Sequence, residues 1–138
     1  MEQAELKKLV SDMSLEEKAL QLTQYPVYEL DEKTEAVVTG LCDLGGIDRE
    51  VLWRTGTILN APNGETVQSI RKTRRGKGIA DPFPFMLDVI HGYRTIYPVP
   101  LAMACTFNTA LIEDCAELAA TEASCDGVDV TFSPMVDL

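Results

Sequence analysis

The sequence predicts an α/β fold built on parallel strands. Three short apolar runs, residues 55–59, 83–87 and 128–132, carry that prediction. Two helical patterns, 64–75 and 109–124, separate them. Parallel neighbours need a crossover of a dozen or more residues, so this spacing reads as a βαβαβ chain. About three parallel strands are expected in residues 55–138, preceded by an N-terminal helical segment in residues 1–54.

The helical segment is expected to open with a short helix over 2–12. Ser14-Leu15-Glu16-Glu17 has the form of a capping box, with Glu17 three residues beyond the cap. The helix it starts carries Leu15, Ala19, Leu20 and Leu22 to about residue 24, where Pro26 stops it. Residues 25–50 are polar and hold Gly40, Gly45 and Gly46; they read as a connection, with a short helix near 48–54. Trp53, the sole tryptophan, precedes the first strand and suits packing.

Strand 55–59 leads to the helix at 64–75, with Val67 and Ile70 facing inward. The cluster RKTRRGK, residues 71–77, ends it. An anion site is one reading. Solvated cations at a helix C-terminus, where the dipole favours them, is the preferred one. Strand 83–87 is followed by a long loop, 89–107. Asn108 caps the next helix, whose apolar stripe is Leu111, Cys115, Leu118 and Ala119. Gly127 ends that connection before strand 128–132.

Ligands in parallel α/β sheets gather beyond the C-terminal ends of the strands. Three segments lie there: Leu59-Asn60, Leu87-Asp88 and Ser133-Pro134-Met135. Asp88 is the notable one, since a buried-looking run ends on an acid. Its carboxylate can bind ligand hydroxyls, or cap the loop by accepting from backbone amides. His91, the only histidine, is either a pocket-wall group or a loop brace bonded to backbone; the second is preferred, because no triad partners accompany it. Tyr93 and Arg94 suit a pocket edge or a solvated loop. Gly92 permits a sharp turn, and Pro98 and Pro100 stiffen the loop. Glu122 lies on the apolar side of its helix. A catalytic role is rejected there in favour of a partly buried ion pair, because a helix covering the sheet faces away from the C-terminal ends of the strands. Asp137 is placed near a strand end.

The chain has 138 residues, 46% of them apolar, which suffices for one domain with a core. A net charge of −10 opposes a nucleic-acid groove and anionic membrane surfaces, so neither partner is expected. Cys42, Cys105, Cys115 and Cys125 form no C-x-x-C pair. They read as reduced, mostly buried thiols in a cytoplasmic protein. A lone histidine with no ligand spacing around it predicts no metal site, and no cofactor is expected. No signal peptide is visible, and no apolar stretch approaches the roughly 20 residues that span a bilayer.

The segment FMLDVIHGYRTIYPVPLAMACTFN, residues 85–108, closely resembles the D-V-x-H-G-x-x-T-x-x-P-x-x-L segment of glycoside hydrolase family 3. EASCDGVDVTFSPMVDL, residues 122–138, resembles its E-A-x-x-x-G-x-x-x-x-x-P-M-V-D. MSLEEKALQLTQ is similar to the family's opening helix, and TGTILNAPN to its first barrel strand. The β-glucosidase branch is the closest match. The resemblance implies an incomplete (β/α)8 barrel, the N-terminal portion of a longer domain, since a complete one takes about 250 residues. It further implies a retaining mechanism on terminal non-reducing β-D-glucosyl residues, which needs two carboxyl groups about 5–5.5 Å apart. No acid of this chain corresponds to either of those groups; they follow an R-x-P-R-W-G-R segment that the chain does not contain. No catalytic residue is therefore assigned, and the chain alone is expected to be inactive. Asp88 corresponds to the aspartate that holds hydroxyls of the terminal sugar, with His91 and Arg94 as weaker substrate-binding candidates. The alternative is a non-catalytic half-barrel that binds sugar weakly or self-associates through exposed sheet edges.

Overall fold

The computed structural model describes residues 2–27, 30, 48–79 and 83–135. Expectations placed on Gly40, Gly45, Gly46, Cys42 and Asp137 lie outside them. Helix α1 spans Gln3–Asp12 and α2 spans Leu15–Gln21. The Ser14 box forms as expected: Ser14 Oγ accepts from the Glu17 amide at 3.1 Å, and Glu17 Oε2 accepts from the Ser14 amide at 2.8 Å. These bonds from Ser14, backbone first, hold the Glu17 carboxyl below its ordinary range.

Helix α2 ends at Gln21, short of Pro26, and the chain turns at once into strand β1, Gln24–Pro26. This corrects the expected strand count from three to four and places a strand inside the segment read as helical. The run Gln-Tyr-Pro is too short to show alternation, and proline is tolerated here because β1 is an edge strand of the described sheet. Gly56 is required beside it: a Cβ there would lie 2.1 Å from the Gln21 carbonyl oxygen, and the Gly56 amide donates to Leu20 O at 2.8 Å.

Short helix α3, Arg49–Leu52, leads to β2, Thr57–Leu59, then to α4, Gly64–Gly76, and β3, Phe85–Leu87. Asn63 caps α4 by accepting from the Thr66 amide at 2.9 Å. Beyond β3 the expected long loop contains a further helix, α5, Pro100–Ala104, which begins on a proline as first turns allow. Helix α6, Thr109–Cys125, capped by Asn108, leads to β4, Val130–Thr131.

The strands form one parallel sheet in the order β1-β2-β3-β4. Sequential neighbours throughout are the order of a (β/α) barrel; a doubly wound sheet would reverse direction partway. The core lies between this sheet and α4. Val27, Ile58, Ala61, Val67, Ile70, Phe83 and Phe85 are buried together, with Tyr25 and Trp53 packed against them.

The cations of α4 depart from the solvated reading. Arg74 lies one turn from Ile70 and two from Val67, so it shares their inward face. It is only 2% exposed. Its guanidinium lies 3.7 Å from the centroid of the Phe83 ring and donates to the carbonyls of Trp53 and Thr55. Arg71 pairs with Asp129 at 3.0 Å and Lys77 with Glu50 at 2.7 Å. On α6 the buried pair is Ala119 and Ala123, not the expected leucines; Leu111 and Leu118 are half exposed. Alanines let the helix approach the sheet closely. Cys105 and Cys125 are exposed thiols, against the expectation of burial. Among the described residues no helix is long and apolar enough to cross a membrane.

Candidate functional site

Parallel register brings the three strand ends to one edge. The Asn60 amide donates to Met86 O at 3.1 Å, joining the ends of β2 and β3. Thr131 Oγ1 donates to Asp88 O at 2.9 Å, and Ser133 Oγ bonds Asp88 O and Val89 O at 3.3 and 3.0 Å. The backbone of Asp88 is thus fixed by hydroxyls from the end of β4. Its side chain is exposed, and among the described residues its carboxylate forms no hydrogen bond or ion pair. The loop-capping alternative requires backbone amides on those oxygens, and none of the described ones is there.

Val89 follows with φ +46°. A β-branched residue in the left-handed region is strained, by about 1–3 kcal/mol, and persists only where its surroundings over-determine it. The strand therefore ends on an acid because the chain turns sharply just beyond it, leaving the carboxylate at the rim.

The turn is braced at several points. Gly92 has φ +116°, and a Cβ there would lie 2.0 Å from Thr95 O. His91 Nδ1 lies 3.0 Å from Tyr97 O, and the Tyr97 amide donates to His91 O at 2.8 Å. A carbonyl only accepts, so Nδ1 carries the proton, and Nε2 is the ring atom left for a ligand. The brace reading of His91 is thus the one the geometry displays.

Arg94, expected at a pocket edge, is instead tied to Asp126 at the end of α6. Arg94 Nη2 reaches Asp126 Oδ2 and Oδ1 at 2.7 and 2.9 Å, and Nε reaches Oδ2 at 3.2 Å. Tyr93 Oη donates to Asp126 Oδ2 at 2.8 Å. Burial, then the Asp126 bond, pushes the Tyr93 phenol up to about 12. The Arg94 and Tyr93 bonds hold the Asp126 carboxyl below its usual range. One turn earlier, Glu122 accepts from the Arg94 amide at 2.9 Å, the Thr95 amide at 2.8 Å and Thr95 Oγ1 at 2.6 Å. The Thr95 hydroxyl first, then the amides, lower its pKa. The ion pair expected of Glu122 is replaced by hydrogen bonds to loop backbone and a hydroxyl.

Asp126, Thr95 and Thr131 are site residues that the sequence does not single out, whereas Ser133 lies in the expected strand-end segment 133–135. The available signals are the i, i+4 relation of Glu122 to Asp126 and the hydroxyl pair flanking Phe132 at a strand end. Beside these residues an apolar groove of about 750 Å³ runs between the loop, α5, α6 and β4, lined by Ile90, Tyr97, Met103, Ile112 and Val130 among others. Asp88 and Arg94 do not line it. Among the described residues no cluster of three or more His, Cys, Asp or Glu side chains is placed to hold a metal ion.

A β-glucosidase from Listeria innocua, crystallised with isofagomine, matches all of this chain with a TM-score of 0.85 and 34% identity. The chain covers 18% of that protein. The same enzyme with glucose gives a TM-score of 0.83 at 35% identity, again over all of this chain and 20% of the other. The periplasmic β-glucosidase of Salmonella typhimurium is 40% identical over 57 residues, 41% of this chain and 8% of the relative. The chain thus spans no more than about a fifth of these relatives. The glycosyl hydrolase family 3 N-terminal domain matches residues 14–138. With sequence-ordered parallel strands, an acid at the rim of the third and this match over nearly its whole length, the chain belongs to glycosyl hydrolase family 3, as part of its barrel domain.

Proposed function

We propose that this chain forms part of a retaining β-glucosidase that removes terminal non-reducing β-D-glucosyl residues, and that Asp88 binds the terminal sugar. One observation carries the proposal: the Asp88 carboxylate stands exposed at the rim of β3 and is unbonded among the described residues, while its backbone is fixed. An ionised carboxylate offers two acceptor oxygens, which suit two neighbouring hydroxyls of a sugar ring. Each such bond contributes about 1.5–3 kcal/mol. At the floor of a pocket this arrangement admits a chain end and excludes a continuing chain. The relatives support the reading, since the Listeria innocua enzyme was crystallised with glucose and with isofagomine. His91 contributes through Nε2, the ring atom not engaged by the loop. The two catalytic carboxyl groups come from outside these residues.

The test is Asp88→Ala in the full-length protein that contains this chain. Losing at least one charged bond should lower kcat/KM on an aryl β-glucoside by at least about tenfold. Unchanged efficiency would refute the assignment.

A second reading applies to the chain in isolation. The apolar groove beside β4, an edge strand of the described sheet, favours pairing with a second copy.

A further inference from the structure

Two carboxylates at the C-terminal end of α6, Glu122 in its last turn and Asp126 just beyond it, hold the turn that follows Asp88. Asp126 binds the side chains of Tyr93 and Arg94. Glu122 does something different: it receives the loop backbone itself. Both of its oxygens are occupied, by two amides and one hydroxyl from Arg94 and Thr95. It belongs to no part of the buried core. An acid so engaged turns both oxygens to the loop, so its effect is to be sought there.

That effect can be followed back along the chain. Thr95 O packs so closely on Gly92 that no Cβ fits between them. Gly92 forms isolated bridges with Ile90 and Ile96, and His91 is bonded to Tyr97. Fixing residues 94 and 95 therefore fixes residues 90–92. The next residue toward the strand is Val89, in its strained left-handed conformation, and then Asp88. Thr131 and Ser133 hold the Asp88 and Val89 carbonyls from one side, so the loop is the second of two supports, and its loss lets the strain relax in part. A relaxed Val89 would rotate the carboxylate of Asp88 away from its present direction.

We infer that Glu122 is a positioning residue for sugar recognition: by accepting three hydrogen bonds from Arg94 and Thr95 it keeps the turn that aims Asp88 at the sugar. The inference rests on the proposed role of Asp88. It assigns Glu122 no proton transfer, so an amide should replace it. In the Glu122→Gln variant the side-chain oxygen would accept both backbone amides, and the side-chain NH2 would donate to the Thr95 hydroxyl.

The experiment is calorimetric titration of the full-length protein with glucose, using Glu122→Ala, Glu122→Gln, Asp88→Ala and the Glu122→Ala/Asp88→Ala double variant. Asp88→Ala should weaken glucose, and Glu122→Ala should weaken it about tenfold with Asp88 present but not in the double variant, the non-additivity expected of residues acting as one unit. Glu122→Gln should stay within about threefold of the parent, since each bond keeps a partner. A purely structural contribution would lower the melting temperature without this dependence on Asp88. If Asp88→Ala weakens glucose while Glu122→Ala does not, or does so equally in both backgrounds, the inference is overturned and the sugar role of Asp88 stands. If Asp88→Ala has no effect, both are overturned. Should Glu122→Ala fail to fold, Thr95→Val removes one of the three bonds; it should weaken glucose about threefold, and parental affinity in that variant would overturn the inference.

Discussion

Single residues decide whether this sheet has a floor. Arg74 is the clearest case. A cation inside a core is costly unless its hydrogens find acceptors. Here Arg74 Nη1 donates to both the Trp53 and Thr55 carbonyls, and the flat guanidinium face covers Phe83. It thereby pins the link between α3 and β2. Arg74→Met should destabilise the protein by about 2–4 kcal/mol, because a thioether fills the volume and leaves buried carbonyls unpaired. Arg74→Lys should recover only part of that loss, since an ammonium has donors for both carbonyls but no flat face to lay on Phe83. Urea unfolding measures both; a lysine variant as stable as the parent would show that charge alone matters. The sequence carried this signal, because Arg74 continues the spacing of Val67 and Ile70. Composition pulled the other way, since RKTRRGK as a cluster reads as a solvated helix end.

At the level of elements, local chemistry was legible and long-range pairing was not. Ser14 and Asn108 act as caps through bonds three residues long, so a short window contains the whole interaction. Strand β1 escaped because three residues have no periodicity of their own; pairing with β2 makes it a strand. Helix α5 was hidden by prolines, which mark a loop as readily as a first turn. The site divides the same way. Asp88, His91 and Arg94 are neighbours in sequence, but the clamp joins Arg94 and Thr95 to Glu122 and Asp126 across roughly thirty residues, and periodicity cannot reach that far. The clamp also has a pH signature. Folding lowers the pKa of both carboxyls, so their contribution is full above the ordinary carboxylate range and fades as pH falls through the depressed values. Folding raises the Tyr93 phenol, so its contribution is full below 10.0 and is lost as pH rises through about 12. The Arg94 and Thr95 amide resonances should therefore titrate together in acid, with a midpoint below that of a free glutamate. A midpoint at or above 4.5, the ordinary value, would mean that Glu122 does not hold them.

On the scale of the molecule, the described surface is unusually apolar at defined places. Leu22 is 90% exposed, Leu101 78% and Phe107 95%, and the groove along α6 adds about 750 Å³ of apolar-walled space. The Listeria innocua enzyme is much longer, since this chain covers only 18–20% of it. The chain in isolation must either hydrate these surfaces or cover them with a copy of itself. Apolar burial at about 25 cal/mol per Å² favours covering them. The net charge of −10 opposes it by repulsion between copies. The two forces respond differently to salt: screening weakens repulsion over a Debye length of about 10 Å at 0.1 M, while burial is unaffected or strengthened. Light scattering on the isolated 138-residue chain should therefore show a mass above 15.2 kDa that grows with salt and does not respond to glucose. The same preparation should release no nitrophenol from an aryl β-glucoside, because self-association covers apolar surface without supplying a second carboxyl about 5–5.5 Å from a first. A monodisperse monomer at all salt concentrations would remove the self-association reading, and clear turnover would place a catalytic pair within these residues.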